Sequence, residues 1–478
     1  MKQVKDFTKK ERRGIPRQEM TERHPKQRAT YFDEVSLGYS LIEAQYEAAR
    51  CIQCKDPACV AGCPVGINIP LFLDQILNHD LEGAIDTVWD ATALPAVCGR
   101  VCPQEIQCEE VCIVKNDKKG KPAVGIGNLE MYIADWAREN GVTPKIEIPK
   151  SSGKKVAVIG SGPAGITVAG ELAKKGHKVT IFEALHQAGG VLLYGIPEFR
   201  LSKDIVDHEL KQLDELGVEI KLNSVVGRTY EIDELLEEYG YDAAFVAVGA
   251  GTPNFLGIPG EDLNGVFSAN EYLTRASLMK ASQFPYYDTP IIPGKNVLIL
   301  GAGNVAMDAA RTALRLGAKS VKIVYRRTKE QSPALEKEIH HAEEEGVEFE
   351  FLTSPLEFIG AADGKLAGLS CQVMKLGEPD EGGRRRPIAV EGEHKYLDCD
   401  LAIISIGTSA NPLLTNVTKG LELNQWGNIK ADPKTGKTTK DKVWAGGDIT
   451  LGQATVILAM GMGKESAEDM DKYLNGEK

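Results

Sequence analysis

No run of apolar residues in this 478-residue chain approaches the ~20 needed for a bilayer-spanning helix, so no membrane partner is expected. The amino end lacks the apolar core of a secretory signal, and Asp6, Glu11, Glu19 and Glu22 argue against a basic presequence. Positive charge is not in surplus either. The formal net charge is −12, which argues against nucleic acid as a partner. No Ser/His/Asp or Cys/His set stands out, so a covalent nucleophile is not part of the expected chemistry. Cysteines clustered in a large non-secreted chain point to metal binding and a reducing compartment, hence to a cytoplasmic protein.

What the chain does have is a dense cysteine region. Eight of its ten cysteines lie between Cys51 and Cys112. The first run, CIQCKDPACVAGCP, is C-x2-C-x4-C-x3-C-P; the second, CGRVCPQEIQCEEVC, is C-x3-C-P-x5-C-x3-C. Thiolates this close together can converge on an inorganic centre with little protein around them, and two runs suggest two centres. Zinc is one reading, because C-x2-C occurs in zinc sites; it would make the chain a zinc-stapled nucleotide-binding scaffold. The first run, however, follows the bacterial ferredoxin pattern, with a proline after the fourth cysteine and a middle gap of four residues instead of two. Cys371 and Cys399 lie outside both runs and are expected in the core.

Residues 1–30 hold ten Lys and Arg against four Asp and Glu, and residues 1–35 are expected to form a basic arm docked on an acidic surface. Residues 36–142 are expected to be a helical domain around the cysteines. Ser40 with Glu43 forms a capping box for LIEAQYEAAR, Pro70 opens a second helix, Asp80 caps a third, and a fourth runs from near Asn128 to Gly141. A linker with prolines and a Ser-Ser-Gly run follows (143–154).

Beyond the linker the pattern becomes strand, Gly-rich turn, helix, and it appears twice. VAVIGSGPAG sets Gly160, Gly162 and Gly165 between a buried strand and a helix N-terminus, and Glu183 ends the second strand. That is the dinucleotide fingerprint: a tight turn, a close approach for pyrophosphate, and an acid for ribose hydroxyls. NVLILGAGNVAMDAA repeats it with Gly301, Gly303 and Ala306, but its second strand ends in Arg326 and Arg327. Guanidinium groups suit a 2′-phosphate, which favours NADP(H) over NAD(H). The expected fold is α/β, with a helical domain ahead of two Rossmann-like units. The second unit (291–405) is inserted into the first (154–290 and 406–478). The charged hairpin tip GEPDEGGRRRP (377–387) is expected to be solvated.

Two such units, one inside the other, resemble flavoproteins of the glutathione-reductase type. The resemblance implies FAD on the first unit, at Gly160, Gly162, Pro163, Ala164, Gly165, Glu183, Gly190, Arg200, Gly249, Gly447, Asp448, Ala454 and Thr455. It implies NADP(H) on the second, at Gly301, Gly303, Asn304, Val305, Ala306, Arg326, Arg327 and Gly407. The redox disulfide of that group is missing, since no Cys-x-x-Cys follows Glu183. Electrons leaving a flavin would have the amino-terminal cysteines as their route.

From about residue 36 the chain also resembles the glutamate synthase small-subunit family. That family includes the amino-terminal half of dihydropyrimidine dehydrogenase and the large subunit of NADH-dependent reduced ferredoxin:NADP+ oxidoreductase. The matching text is CIQCKDPACVAGCPVGINIP, GRVCPQEIQCEEVC, GIGNLE, GGVLLYGIPEFRLSKDIV, VYRRT and AGGDI. The family pattern implies two [4Fe-4S] clusters with crossed ligation: Cys51, Cys54, Cys59 and Cys112 on one, Cys63, Cys102, Cys108 and Glu130 on the other. The residues read alone would group Cys98 with Cys102, Cys108 and Cys112, so Cys98 and Glu130 remain alternatives. The expected function is hydride exchange between NADP(H) and FAD, with single electrons passing through the clusters to ferredoxin. The chain would then be the NADPH-binding subunit of the bifurcating oxidoreductase, beside a smaller flavoprotein subunit with a [2Fe-2S] centre. The alternative is the small subunit, or a stand-alone form, of NADPH glutamate synthase, which would feed a large amidotransferase subunit.

Overall fold

The computed structural model describes residues 4–115, 120–145, 149–379 and 385–477. The linker's 146–148 and the hairpin tip's 380–384 lie outside them; of that tip, Arg385 and Arg386 are exposed.

The cysteine region is helical. Ser40 caps Leu41–Ala49 in a reciprocal box with Glu43, and Asp80 caps Leu81–Trp89 by accepting from Gly83 N. Pro70 occupies the first turn of Ile69–Leu77. The fourth expected helix starts two residues early, as Ile126–Glu139, and Gly141 follows it with a left-handed φ of 66°. The Pro95–Val101 helix, which carries Cys98, is an addition to the expected set. It crosses Ile126–Glu139 so tightly that a Cβ on Gly99 would lie 2.4 Å from Met131 N.

Two five-stranded parallel sheets follow. The first has the order 443–445, 243–246, 155–159, 178–182, 219–221, so the last strand of the chain returns beside the first unit's strands. The second has the order 266–268, 401–404, 296–300, 320–324, 348–350. The second unit is therefore enclosed by the first. It begins earlier than residue 291, because Val266–Ser268 pairs with Leu401–Ile404. A three-residue strand carries no periodic signal, and the Pro-rich stretch after it was the louder marker. A three-stranded antiparallel sheet, 353–360, 366–379 and 385–398, hangs from the second unit. Cys371 and Cys399 are buried in its apolar cluster.

The basic arm docks, as expected, on acid. Arg28 is 1 % exposed and bonds Glu345 (2.9 Å), Glu344 (2.8 Å) and Glu22 (3.1 Å). Glu345 is shared with Arg311 and Arg315, and the Arg315 guanidinium stacks 3.8 Å from the Phe199 ring centroid. Farther along, Arg17 reaches Glu109 of the cysteine domain at 2.9 Å. The arm thus joins the second nucleotide unit to the cysteine domain. No helix among the described residues is long and apolar enough to cross a membrane.

Candidate redox site

The first glycine turn is built to leave space above a helix end. Gly160 has φ 102°, and a Cβ there would sit 2.5 Å from Ala247 O; a Cβ on Gly165 would sit 2.1 Å from Gly160 O. At Gly162, by contrast, a Cβ would meet nothing within 4 Å. The free N–H groups of the Pro163–Lys174 helix therefore face an open cradle of the kind a pyrophosphate fills. Ala164 is buried in that helix's first turn. Gly190 closes the rim, since its Cβ would touch Gly162 Cα at 2.9 Å, and Gly447 lies against Ala164.

Glu183 is buried at the end of the second strand. It accepts from Ser161 N (3.0 Å), Ser161 Oγ and Leu185 N (2.8 Å). A carboxylate has about four lone-pair sites, so one remains for a ribose hydroxyl. Asp448 accepts from Ala454 N at 3.0 Å, and burial pushes its carboxyl up to about 6. Thr455 caps the long Val456–Leu474 helix. Gly249, with φ 68°, borders open space. Tyr194, the first residue of the YGIPEFRL stretch, is half-buried and close enough to feel both Asp448 and Glu183. Arg200 is engaged elsewhere: its guanidinium holds Asp308 (2.8 Å) and Glu338 (3.2 Å) of the second unit.

The second turn is closed differently. A Cβ on Gly301 would strike Ser405 O at 2.2 Å, whereas Gly303 has only Pro333 Cγ at 3.9 Å. Asn304 Oδ1 accepts from Leu335 N, and Ser332 Oγ donates to Ala302 O, folding the 328–335 loop beside the turn. Ala306 is buried, while Val305, in the helix's first turn, is 47 % exposed. Arg326 and Arg327 follow the second strand as expected; Arg327 Nε is buried and lacks a protein partner. Gly407 O accepts from Asn254 N, where the chain crosses between units. An orphaned guanidinium nitrogen and an open helix end suit a phosphorylated dinucleotide.

The cysteines separate into two groups. Cys51, Cys54, Cys59 and Cys112 line one pocket, closed by Ile69, Leu73, Val124 and Ile126. Burial, then neighbouring thiols, pushes Cys51 up to about 12 and Cys59 to about 11. Cys63 and Cys108, shifted up mainly by burial, both feel Glu130, as does Cys102. Burial alone raises the Glu130 carboxyl to about 8, and its Oε1 has no hydrogen-bond partner. Such acids hold their protons until a cation compensates the charge. Among the described residues no group of three or more His, Cys, Asp or Glu is drawn in closely enough for a single ion. A cuboidal cluster, with an iron at each ligand, needs its ligands farther apart. Cys98, which also feels Cys102 and Glu130, has its Sγ 3.7 Å from Met460 Sδ and 3.8 Å from Thr92 Oγ1.

Comparison with known proteins now bears on these groups. Residues 154–463 match the pyridine nucleotide-disulphide oxidoreductase family, and residues 28–142 match dihydropyrimidine dehydrogenase domain II, 4Fe-4S cluster. The glutamate synthase [NADPH] small chain of Halomonas elongata is 38% identical over 96% of this chain and 97% of its own. The chain belongs to the glutamate synthase small-chain-like family of oxidoreductases. It is an NADPH-dependent oxidoreductase using FAD and [4Fe-4S] iron–sulfur. Also similar is the NADP(+)-dependent formate dehydrogenase subunit beta of Moorella thermoacetica, 38% identical over 87% of this chain but 60% of its own. The solved FprA of Mycobacterium tuberculosis in complex with NADPH shares the fold, with a TM-score of 0.56 at 23% identity, over 68% of this chain and 85% of its own.

Proposed function

We propose that this chain is the electron-input subunit of a larger enzyme of the glutamate synthase kind. FAD would lie on the Gly160–Gly165 turn and NADP(H) on the Gly301–Ala306 turn. Two [4Fe-4S] clusters would be held by Cys51, Cys54, Cys59 and Cys112, and by Cys63, Cys102, Cys108 and Glu130. FAD bound there would supply two-electron exchange with NADPH and one-electron exchange with iron–sulfur centres. Everything else is done by the chain's own residues. The Pro163 helix end and Gly162 seat pyrophosphate, and Arg326 with Arg327 selects the 2′-phosphate. Thr455 caps a helix whose positive end favours negative charge on the flavin.

One observation carries the reading: the Val456–Leu474 helix touches both sites. Its amino end follows Asp448, and one turn later a Cβ on Gly461 would meet Pro64 O, next to Cys63, at 2.8 Å. Lys464 Nζ latches the same helix to Val65 O (3.1 Å) and Ala91 O (3.0 Å). The same helix thus packs against both the proposed flavin site and the segment that carries Cys63.

The relatives favour the glutamate synthase reading over the bifurcating, ferredoxin-reducing one. The latter rests on likeness of text, in the long basic arm and in the GRVCPQEIQCEEVC run. Arg17 and Arg28 of that arm are already engaged with Glu109, Glu344 and Glu345. Native purification tests the choice. A large amidotransferase-type partner that turns over with NADPH is expected; a small flavoprotein carrying a [2Fe-2S] centre would overturn it.

A further inference from the structure

Lys203 opens the Lys203–Glu215 helix, and its side chain reaches back into the loop before it. Nζ donates to Leu192 O (3.0 Å), Ile196 O (2.5 Å) and Leu201 O (3.2 Å). An ammonium has three N–H groups and no acceptor, so the three carbonyls use all of them. Among the described residues, none of those carbonyls accepts from a backbone N–H. Leu192 and Leu201 are fully buried, and a buried carbonyl left without a donor is costly. The ammonium is therefore what draws these three points of the loop together. One end of that loop is anchored in the first glycine turn, where Gly189 N donates to Ser161 Oγ (2.9 Å) and Gly190 closes on Gly162. The other end is anchored by Arg200, which holds Asp308 and Glu338 of the second unit. Between them lies Tyr194, flanked by Leu192 and Ile196 and close to Asp448 and Glu183.

We propose that Lys203 is a positioning residue for the flavin, its ammonium holding the 189–201 loop in the shape that walls the Gly160–Gly165 cradle. The inference rests on the FAD site proposed above. A wall that is already in place has little freedom left to lose when the cofactor binds, so loosening it weakens the complex. Glu198 accepts from Lys203 N with both oxygens (3.2 and 3.1 Å), a contact of the backbone that survives substitution of the side chain.

The test is the rate of FAD release from the diluted full-length holoenzyme, followed by flavin fluorescence, in Lys203→Met and Lys203→Ala. Iron content and NADPH affinity are measured on the same preparations. Lys203→Met keeps the length of the side chain without its N–H groups and is expected to release FAD about tenfold faster, the worth of a charge-assisted bond. Iron content and NADPH affinity are expected to hold. In Lys203→Ala, propylammonium chloride is expected to restore slow release, and sodium chloride at equal ionic strength is not. Wild-type release from both variants overturns the inference and leaves the FAD site standing. Fast release that propylammonium leaves unchanged, or that sodium chloride slows equally, overturns it too. Iron and NADPH affinity lost in parallel with FAD would make Lys203 a general stabiliser and likewise overturn it. A wild-type chain that holds no FAD overturns the site and the inference together. Should the methionine variant fail to fold, the alanine variant assembled in propylammonium and transferred to sodium chloride decides alone.

Discussion

Glu130 holds a carboxylate oxygen that no protein group satisfies, on a helix whose other buried residues include Leu129, Ile133 and Ala137. A buried acid without a partner costs stability unless something absent from the protein atoms completes it. Glu130→Ala is accordingly expected to drop bound iron from about eight atoms to about four, read by iron analysis of anaerobically reconstituted protein, while the first cluster stays. Arg327 has the same character in the other site. Arg327→Ala is expected to weaken NADPH binding roughly tenfold to a hundredfold, the worth of a charge-assisted bond, with NADH binding little changed in a calorimetric titration. Both residue types were visible in the sequence, Glu130 through family text and Arg327 through its strand-end position. Their unsatisfied atoms were not, because satisfaction depends on what folding brings near. Arg200 shows the converse: its place in a matched loop suggested flavin, and only packing revealed Asp308 and Glu338.

Among the elements, the Val456–Leu474 helix has the largest share in the proposed function. Gly461→Val would force side-chain atoms into Pro64 and push the helix from the cysteine domain. The expected outcome is flavin reduction by NADPH at the wild-type rate with slowed reduction of the clusters, followed by anaerobic stopped-flow spectroscopy. Equal slowing of both steps would point to general damage instead. Long or well-capped elements were legible: Ser40 with Glu43, Asp80, and both strand–turn–helix units. The Pro95–Val101 helix was not, because Cys98 and Gly99 lie in what reads as a ligand run and the segment is too short for a 3.6-residue period. The arm's destination was open for a related reason, since ten basic residues state a charge but not which carboxylates meet it.

At the scale of the whole molecule, the arm and the buried ion network join the second nucleotide unit to the rest. Burial alone would raise the Glu22 carboxyl, but His341, Lys337 and Arg28 hold it at about 2; Arg315 and Arg311 do the same for Glu345. Both lie below their ordinary value of 4.5, so the folded protein binds fewer protons there than the unfolded one. Their stabilisation is complete above that value and is lost as pH falls towards about 2. Tm is expected to drop across that window, with a shallower slope in Glu22→Gln. Arg28→Ala is expected to cost about 3 kcal/mol in denaturant unfolding, the low end for breaking a buried pair, because Glu345 keeps two other arginines.

The central claim is that electrons from NADPH leave through iron held by the amino-terminal cysteines. EPR of the anaerobic full-length chain before and after NADPH, with metal analysis of the same sample, tests it most directly. The account predicts iron with acid-labile sulfide and the appearance of reduced [4Fe-4S] signals on adding NADPH. Zinc in place of iron, or iron–sulfur centres that stay oxidised while the flavin is reduced, would contradict it.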